Sequence, residues 1–200
     1  MASVLNILGD WSAGSPERER LFGMNKGLVL RWLNEGQLRF ADKSEVLRGL
    51  WSPTIGSDGE ATLPEDFLRL IRNGIKWDSD TLLAEIPYSD AAVQTFSATE
   101  FYSIWGGKLY VWAAAEGSPT IPYIKKPDEI TIGSISSAEL DIPTEYHHEL
   151  LGFLDAMWAR NQGQADGYRV LLNVFDQTAV GAGMRFASRS DVIPRMKRGW

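Results

Sequence analysis

Few residues in this chain have the type and spacing to do chemistry. The only histidines, His147 and His148, are adjacent and sit beside Glu149. Neighbours on a helix point about 100° apart, so the two rings cannot readily face one metal. The H-E-x-x-H spacing of helical zinc sites is absent. The expectation is one ring at an interface and the other in water. A serine triad would have to use one of the same two rings, and no G-x-S-x-G turn accompanies them. Gly106-Gly107-Lys108 lacks the G-x-x-x-x-G-K-[ST] spacing of a phosphate loop, and its flanks read as a hairpin. The carboxylate pairs Glu65 with Asp66, Asp78 with Asp80, and Asp128 with Glu129 all fall by loops or turns. A glycosidase would need two acids facing across a cleft. Zero cysteines exclude disulfides, thiolate chemistry and Cys-rich zinc modules. No catalytic set, cofactor or metal is expected. A carbohydrate-binding or carbohydrate-cleaving protein stands as an alternative, because eight tryptophans can stack on sugars as well as fill a core.

The charge distribution points elsewhere. The chain carries 20 Lys and Arg against 26 Asp and Glu, net −6. Residues 183–200 hold five of those bases and one acid (Asp191), which makes that stretch basic and the remainder strongly acidic. An acidic body disfavours tight binding to duplex phosphates. The basic stretch interleaves its charges with Met184, Phe186, Val192, Ile193 and Trp200, too little for a core of its own, so it reads as an arm that docks on a partner. Met1 to Leu8 lacks the basic start and apolar run of a signal peptide, and no stretch approaches the ~20 apolar residues of a spanning helix.

Local signals supply the elements that must position such an arm. Ser15 can cap a helix with Pro16 at its first position and Glu17 and Glu19 in its first turn. Leu21, Leu28, Trp32 and Leu33 then share a face, with Leu47 and Leu50 continuing the apolar pattern. Gly36 leaves two helices, or one kinked helix, equally defensible. In the middle, 67–72 and 75–77 flank Asn73-Gly74 as one hairpin, and 100–105 and 108–112 flank Gly106-Gly107 as a second. A strand follows at 120–125, and 89–95 suits a short helix. Pro143 opens a helix carrying Tyr146, Leu150, Leu151, Leu154, Met157 and Trp158. Asn161 to Gly167 interrupts it, and Tyr168 to Val180 resumes before Gly181-Ala182-Gly183 acts as stop and hinge.

The fold class expected is α+β: a helical bundle, made of N-terminal helix or helices plus a C-terminal helical hairpin, with a small antiparallel β module inserted and an extended arm. The expected divisions are 1–62 helical, 63–135 β-rich, 136–182 the hairpin, and 183–200 the arm.

Four segments, in order, carry a family resemblance: Leu28-Val-Leu-Arg-Trp-Leu-Asn-Glu-Gly-Gln-Leu-Arg-Phe40, Leu63-Pro64-Glu65-Asp66-Phe67, Pro122-Tyr123-Ile124-Lys125-Lys126-Pro127, and Ile142-Pro143-Thr144-Glu145-Tyr146-His147-His148-Glu149-Leu150-Leu151. Together they resemble the head-to-tail adaptor, or connector, proteins of tailed bacteriophages. The resemblance implies a structural protein of the virion neck, assembled in the host cytoplasm. Such subunits form a ring, usually of twelve, beneath the portal protein. A tail or nozzle protein docks on the far side, and genomic duplex DNA passes through without specific binding. No membrane partner is implied. Composition and this architecture together assign portal docking to Arg185, Phe186, Arg189, Ile193, Arg195, Lys197, Arg198 and Trp200. A neck or tail-completion protein that does not touch the portal is the neighbouring alternative.

Overall fold

A computed structural model describes residues 3–56, 58–71, 75–77, 82–91, 101–112 and 119–188. The protein is α+β and divides into two compact units, one formed by 1–47 with 126–200 and one by 48–125.

The first unit is helical. Helix α1 (Val4–Ser12) has no counterpart in the sequence expectation, although its signal is plain in retrospect. Ser3 accepts from the Asn6 amide as N-cap, and Val4, Ile7, Leu8 and Trp11 are buried at helical spacing. Helix α2 (Pro16–Met24) begins as expected, with Ser15 Oγ accepting from the Arg18 amide at 3.2 Å. The break before α3 (Lys26–Ser44) comes at Asn25, which caps both helices, and α3 then runs unbroken through Gly36. Gly36 is tolerated there because it is a contact point. A Cβ at this position would lie 2.9 Å from Phe153 Cδ1. Helix α3 ends at Glu45, whose left-handed φ of 55° turns the chain out, so Leu47 and Leu50 do not continue the helix.

After the β unit, a 3-10 turn (Thr144–Tyr146) leads into α5 (His147–Asn161), and a short link with Gly163 at φ 73° leads into α6 (Ala165–Ser188). Helices α5 and α6 pack on each other and α3 packs on both. Their core centres on Phe40, with the rings of Tyr146 at 5.5 Å and Phe175 at 6.0 Å, and Phe153 lies 5.1 Å from Phe175.

The second unit holds two sheets. Strands β1 (Arg48–Trp51), β8 (Ile121–Lys125) and β3 (Phe67–Leu70) form a three-stranded antiparallel sheet in the order β1-β8-β3. The five-stranded sheet has the order β2-β7-β6-β5-β4, from β2 (Glu60–Thr62), β4 (Ile75–Lys76), β5 (Leu82–Glu85), β6 (Phe101–Trp105) and β7 (Lys108–Trp112). Both sheets contribute to one apolar cluster, with Ile121 from the first and Ile75, Leu83, Tyr102, Leu109 and Val111 from the second. The β6–β7 hairpin forms as expected. Gly106 and Gly107 take φ of 57° and 75°, the paired left-handed turn that glycine permits.

Three expectations need correction here. The β module is not wholly antiparallel, because β5 pairs with β6 in parallel. The segments around Asn73-Gly74 do not pair with each other: β3 pairs with β8, and β4 pairs with β5. Residues 72–74 lie outside the described set. Strands β1 and β2 also lie inside the 1–62 stretch expected to be helical. The short helix expected at 89–95 begins at Tyr88 as α4 (Tyr88–Ala91), and residues 92–95 lie outside the described residues.

Candidate functional site

The residues singled out for docking start on a helix. Helix α6 runs straight through Gly181-Ala182-Gly183 to Ser188, so these glycines are neither a stop nor a hinge. The physical reason is a continuous apolar stripe. Phe175, Ala179 and Ala182 are buried, Phe186 packs on the same core, and the spacing of 4, 3 and 4 keeps all four on one face. Gly183 sits where α6 crosses the end of α3. A Cβ there would collide with the backbone carbonyl of Ser44, whose hydroxyl donates back to the Phe40 carbonyl at 2.6 Å. Only glycine permits that approach. Near the same end the Arg185 guanidinium lies 6.0 Å from the ring centroid of buried Tyr146. Arg185 and Phe186 thus belong to the folded helix. Arg189, Ile193, Arg195, Lys197, Arg198 and Trp200 lie outside the described residues.

The opposite face of α6 is open and mixed: Val170, Val174 and Met184 are exposed at 63%, 55% and 69%, with exposed Gln177 on the same line. Arg39 fixes the helix against α3 through a two-pronged pair to Asp176, Nε to Oδ1 at 2.6 Å and Nη2 to Oδ2 at 2.7 Å. The hydrogen bond from Arg39 holds the Asp176 carboxyl below its ordinary range, and Asp176 in turn raises the Arg39 guanidinium.

The four segments that carry the family resemblance turn out to be joints. Asn34 mimics a backbone edge, donating to the Ile130 carbonyl at 2.9 Å and accepting from the Ile130 amide at 3.1 Å. Phe40 occupies the core centre and Gln37 is fully buried. In the sheet unit, Asp66 accepts from the Tyr123 hydroxyl at 2.8 Å and pairs with Lys125 Nζ at 3.1 Å, while Phe67 stacks on Tyr123 at 5.7 Å. The second and third segments therefore meet. Burial pushes the Asp66 carboxyl up, but the hydrogen bonds from Tyr123 and Lys125 outweigh it and hold it below its ordinary value. Tyr123 is pushed up to about 12, by burial first and then by Asp66. In the fourth segment, His147 is buried with Nε2 2.7 Å from the Ile142 carbonyl. His148 is exposed, with Nε2 3.0 Å from Glu149. The expected division of the two rings holds.

Among the described residues, no three His, Asp or Glu side chains converge as a metal site, and no helix is long and apolar enough to cross a membrane. Asp66 is engaged in its joint, Asp128 donates its amide to Asp141 at 2.6 Å, and Asp78 and Asp80 lie outside the described residues. Among the described residues, Asn34, Phe40, Asp66, Tyr123 and His147 are held in packing and pairing. Residues 1–192 match the family described as SU10 adaptor protein, and the chain belongs to that family of phage head–tail adaptors. No curated protein matches it.

Proposed function

We propose that the chain is a head-to-tail adaptor that forms a ring beneath the portal, links portal to tail, and continues the DNA channel. Membership of the adaptor family over residues 1–192 carries this reading. In it, a helical bundle with an inserted β unit forms each ring subunit, twelve copies surround the channel, and a tail or nozzle protein docks on the distal side. Two features support it. A ring needs a surface on each subunit for its neighbour, and exposed Val170, Val174 and Met184 on α6 offer apolar contacts for one. The acidic balance before residue 183 suits a channel wall along which duplex DNA slides without specific binding.

The portal-docking arm is best placed at 189–200, because Phe186 and Gly183 are committed to the fold. A chain truncated after Ser188 should fold as the full chain does and fail to attach to portal rings in negative-stain images. Attachment at the full-length level would remove the arm from the portal contact. Rings that form without any affinity for portal would favour a neck protein that meets the tail alone.

A further inference from the structure

The sheet unit presents a surface that the adaptor reading leaves unused. Cross-strand pairing sets Tyr102, Ile104, Leu109, Val111 and Ala61 toward the core. The same register sets Trp112, Tyr110 with Glu60, and Trp105 with Lys108 on the other face of the five-stranded sheet. Tyr88, on α4, completes a row of four rings across this face. Its ring lies 6.0 Å from that of Trp105 at 11° and 4.7 Å from that of Tyr110, and Tyr110 lies 6.2 Å from Trp112 at 19°. Trp105 is 61% exposed and Tyr88 36%. These are large rings fixed by one another at the surface. Beside them Lys108 Nζ and Glu60 Oε2 pair at 2.7 Å, both within reach of solvent.

We propose that this face binds a neutral saccharide. The exposed Trp105 ring would stack on the C–H face of a pyranose ring, where an aromatic quadrupole meets weakly positive hydrogens, with Tyr88, set between Trp105 and Tyr110, supporting it. Glu60, Lys108 and the tyrosine hydroxyls would hydrogen-bond sugar hydroxyls at the rim, the mixture of apolar platform and few polar groups that small-ligand sites use. Other occupants fit less well. Stacking on single-stranded nucleic acid, or docking on an anionic lipid surface, requires a cluster of bases. Residues 48–125 instead carry ten acids and six bases, and Lys108 in this row is already paired. A stable protein contact takes roughly 800 Å² and 20–30 residues from each partner. Four rings and one ion pair match a ligand a few sugar rings wide.

The test uses the full chain with cellohexaose, maltohexaose, chitohexaose and soluble dextran as probes, read by calorimetric titration and by tryptophan fluorescence. At least one probe should bind. Trp105→Ala should weaken it about tenfold or more, the scale of one lost stacking contact with its buried area. Lys108→Ala should weaken it less, and Arg169→Ala, an exposed position in the helical unit, should leave it unchanged. Circular dichroism of Trp105→Ala checks folding, and Trp105→Phe, which keeps a ring, should retain part of the affinity. No binding to any of the four probes, or binding that survives Trp105→Ala, overturns the proposal. So does a Trp105→Ala chain that loses assembly on portal or capture of a tail protein, since that would make the face a protein contact. Ring assembly of the unaltered chain on portal is scored separately and tests the adaptor reading alone.

Discussion

In the helical unit α3 approaches α6 until Gly183 lies against the Ser44 carbonyl, and Gly36 takes the ring of Phe153 where a side chain would stand. In the sheet unit the corresponding joint, β3 to β8, is made by side chains that reach: Tyr123 and Lys125 converge on Asp66, and Phe67 stacks on the Tyr123 ring. Each unit also uses the other's device: in the sheet unit Gly49 receives the Tyr123 ring and Gly59 lies against the Val111 carbonyl, and in the helical unit Asp155 accepts from the Trp11 indole and pairs with Arg18. What sets the sheet unit apart is its pair of buried phenols, Tyr102 and Tyr123, each tied to a carboxylate. Both units should therefore fail when volume is added at their close approaches and respond to acid, while the sheet unit should respond to alkali through its paired phenols.

The largest expected effect removes the ring at the centre of the helical core. Phe40 is fully buried against Tyr146 and Phe175, so Phe40→Ala should cost about 3–5 kcal/mol by transfer and cavity terms together. Urea unfolding followed by helical circular dichroism would measure it. A loss below about 1 kcal/mol would mean the core relaxes around the hole. Adding volume comes next. Gly183→Ala drives a methyl into the Ser44 backbone, which cannot rotate away as a side chain could, so about 2–3 kcal/mol is expected. The thermal midpoint would fall by roughly 4–12 °C in a chain of this size. An unchanged midpoint would show that α6 slides along α3 at no cost.

How much of this could be read from the sequence follows from how local each signal is. The Ser15 cap with Pro16, the Gly106-Gly107 turn and the division between His147 and His148 depend on residues a few positions apart, and each was legible. Asn73-Gly74 was an equally local hairpin signal and misled, because the Asp66–Tyr123 joint, spanning 57 positions, wins β3 for β8. Gly181 and Gly183 carry the composition of a helix stop. Two glycines cost roughly 2 kcal/mol in a helix interior, but burial of Ala182 and Phe186 and the close crossing at Ser44 keep the helix going. Leu50 looked like a core residue and is 75% exposed on β1. The family segments were recognisable as segments. What they join was not, since each partner lies in another segment.

The Arg39–Asp176 pair is a side-chain joint of the helical unit, tying α3 to α6. Both side chains are about a third exposed, so solvent screening reduces the value of the pair, and Asp176→Asn should cost about 1–2 kcal/mol. Its pH dependence has a definite sign. The folded carboxyl is held below its unfolded value of about 3.9, so the contribution is complete above that pH and disappears as pH falls through the lower folded value. Asp66 behaves the same way in the sheet unit. Acid alone therefore does not separate the two units, and Asp176→Asn should flatten only the part of the acid limb seen by helical circular dichroism.

Alkali separates them, with the smallest effect. Tyr102 and Tyr123 in the sheet unit are both pushed up to about 12, chiefly by burial and then by Glu85 and Asp66. A phenol raised above its unfolded value of about 10 gives stability that is complete below pH 10 and is lost as pH rises toward 12. Raising the pH from 10 to 12 should thus loosen the sheet unit first, seen as tyrosinate absorbance rising together with loss of near-ultraviolet signal while helical circular dichroism persists. Tyr123→Phe should remove part of that alkaline transition at a cost of about 1 kcal/mol at neutral pH, because Asp66 keeps Lys125 when it loses the hydroxyl. If the helical signal fell first, or both fell together, the buried phenols of Tyr102 and Tyr123 would not be what distinguishes the two units.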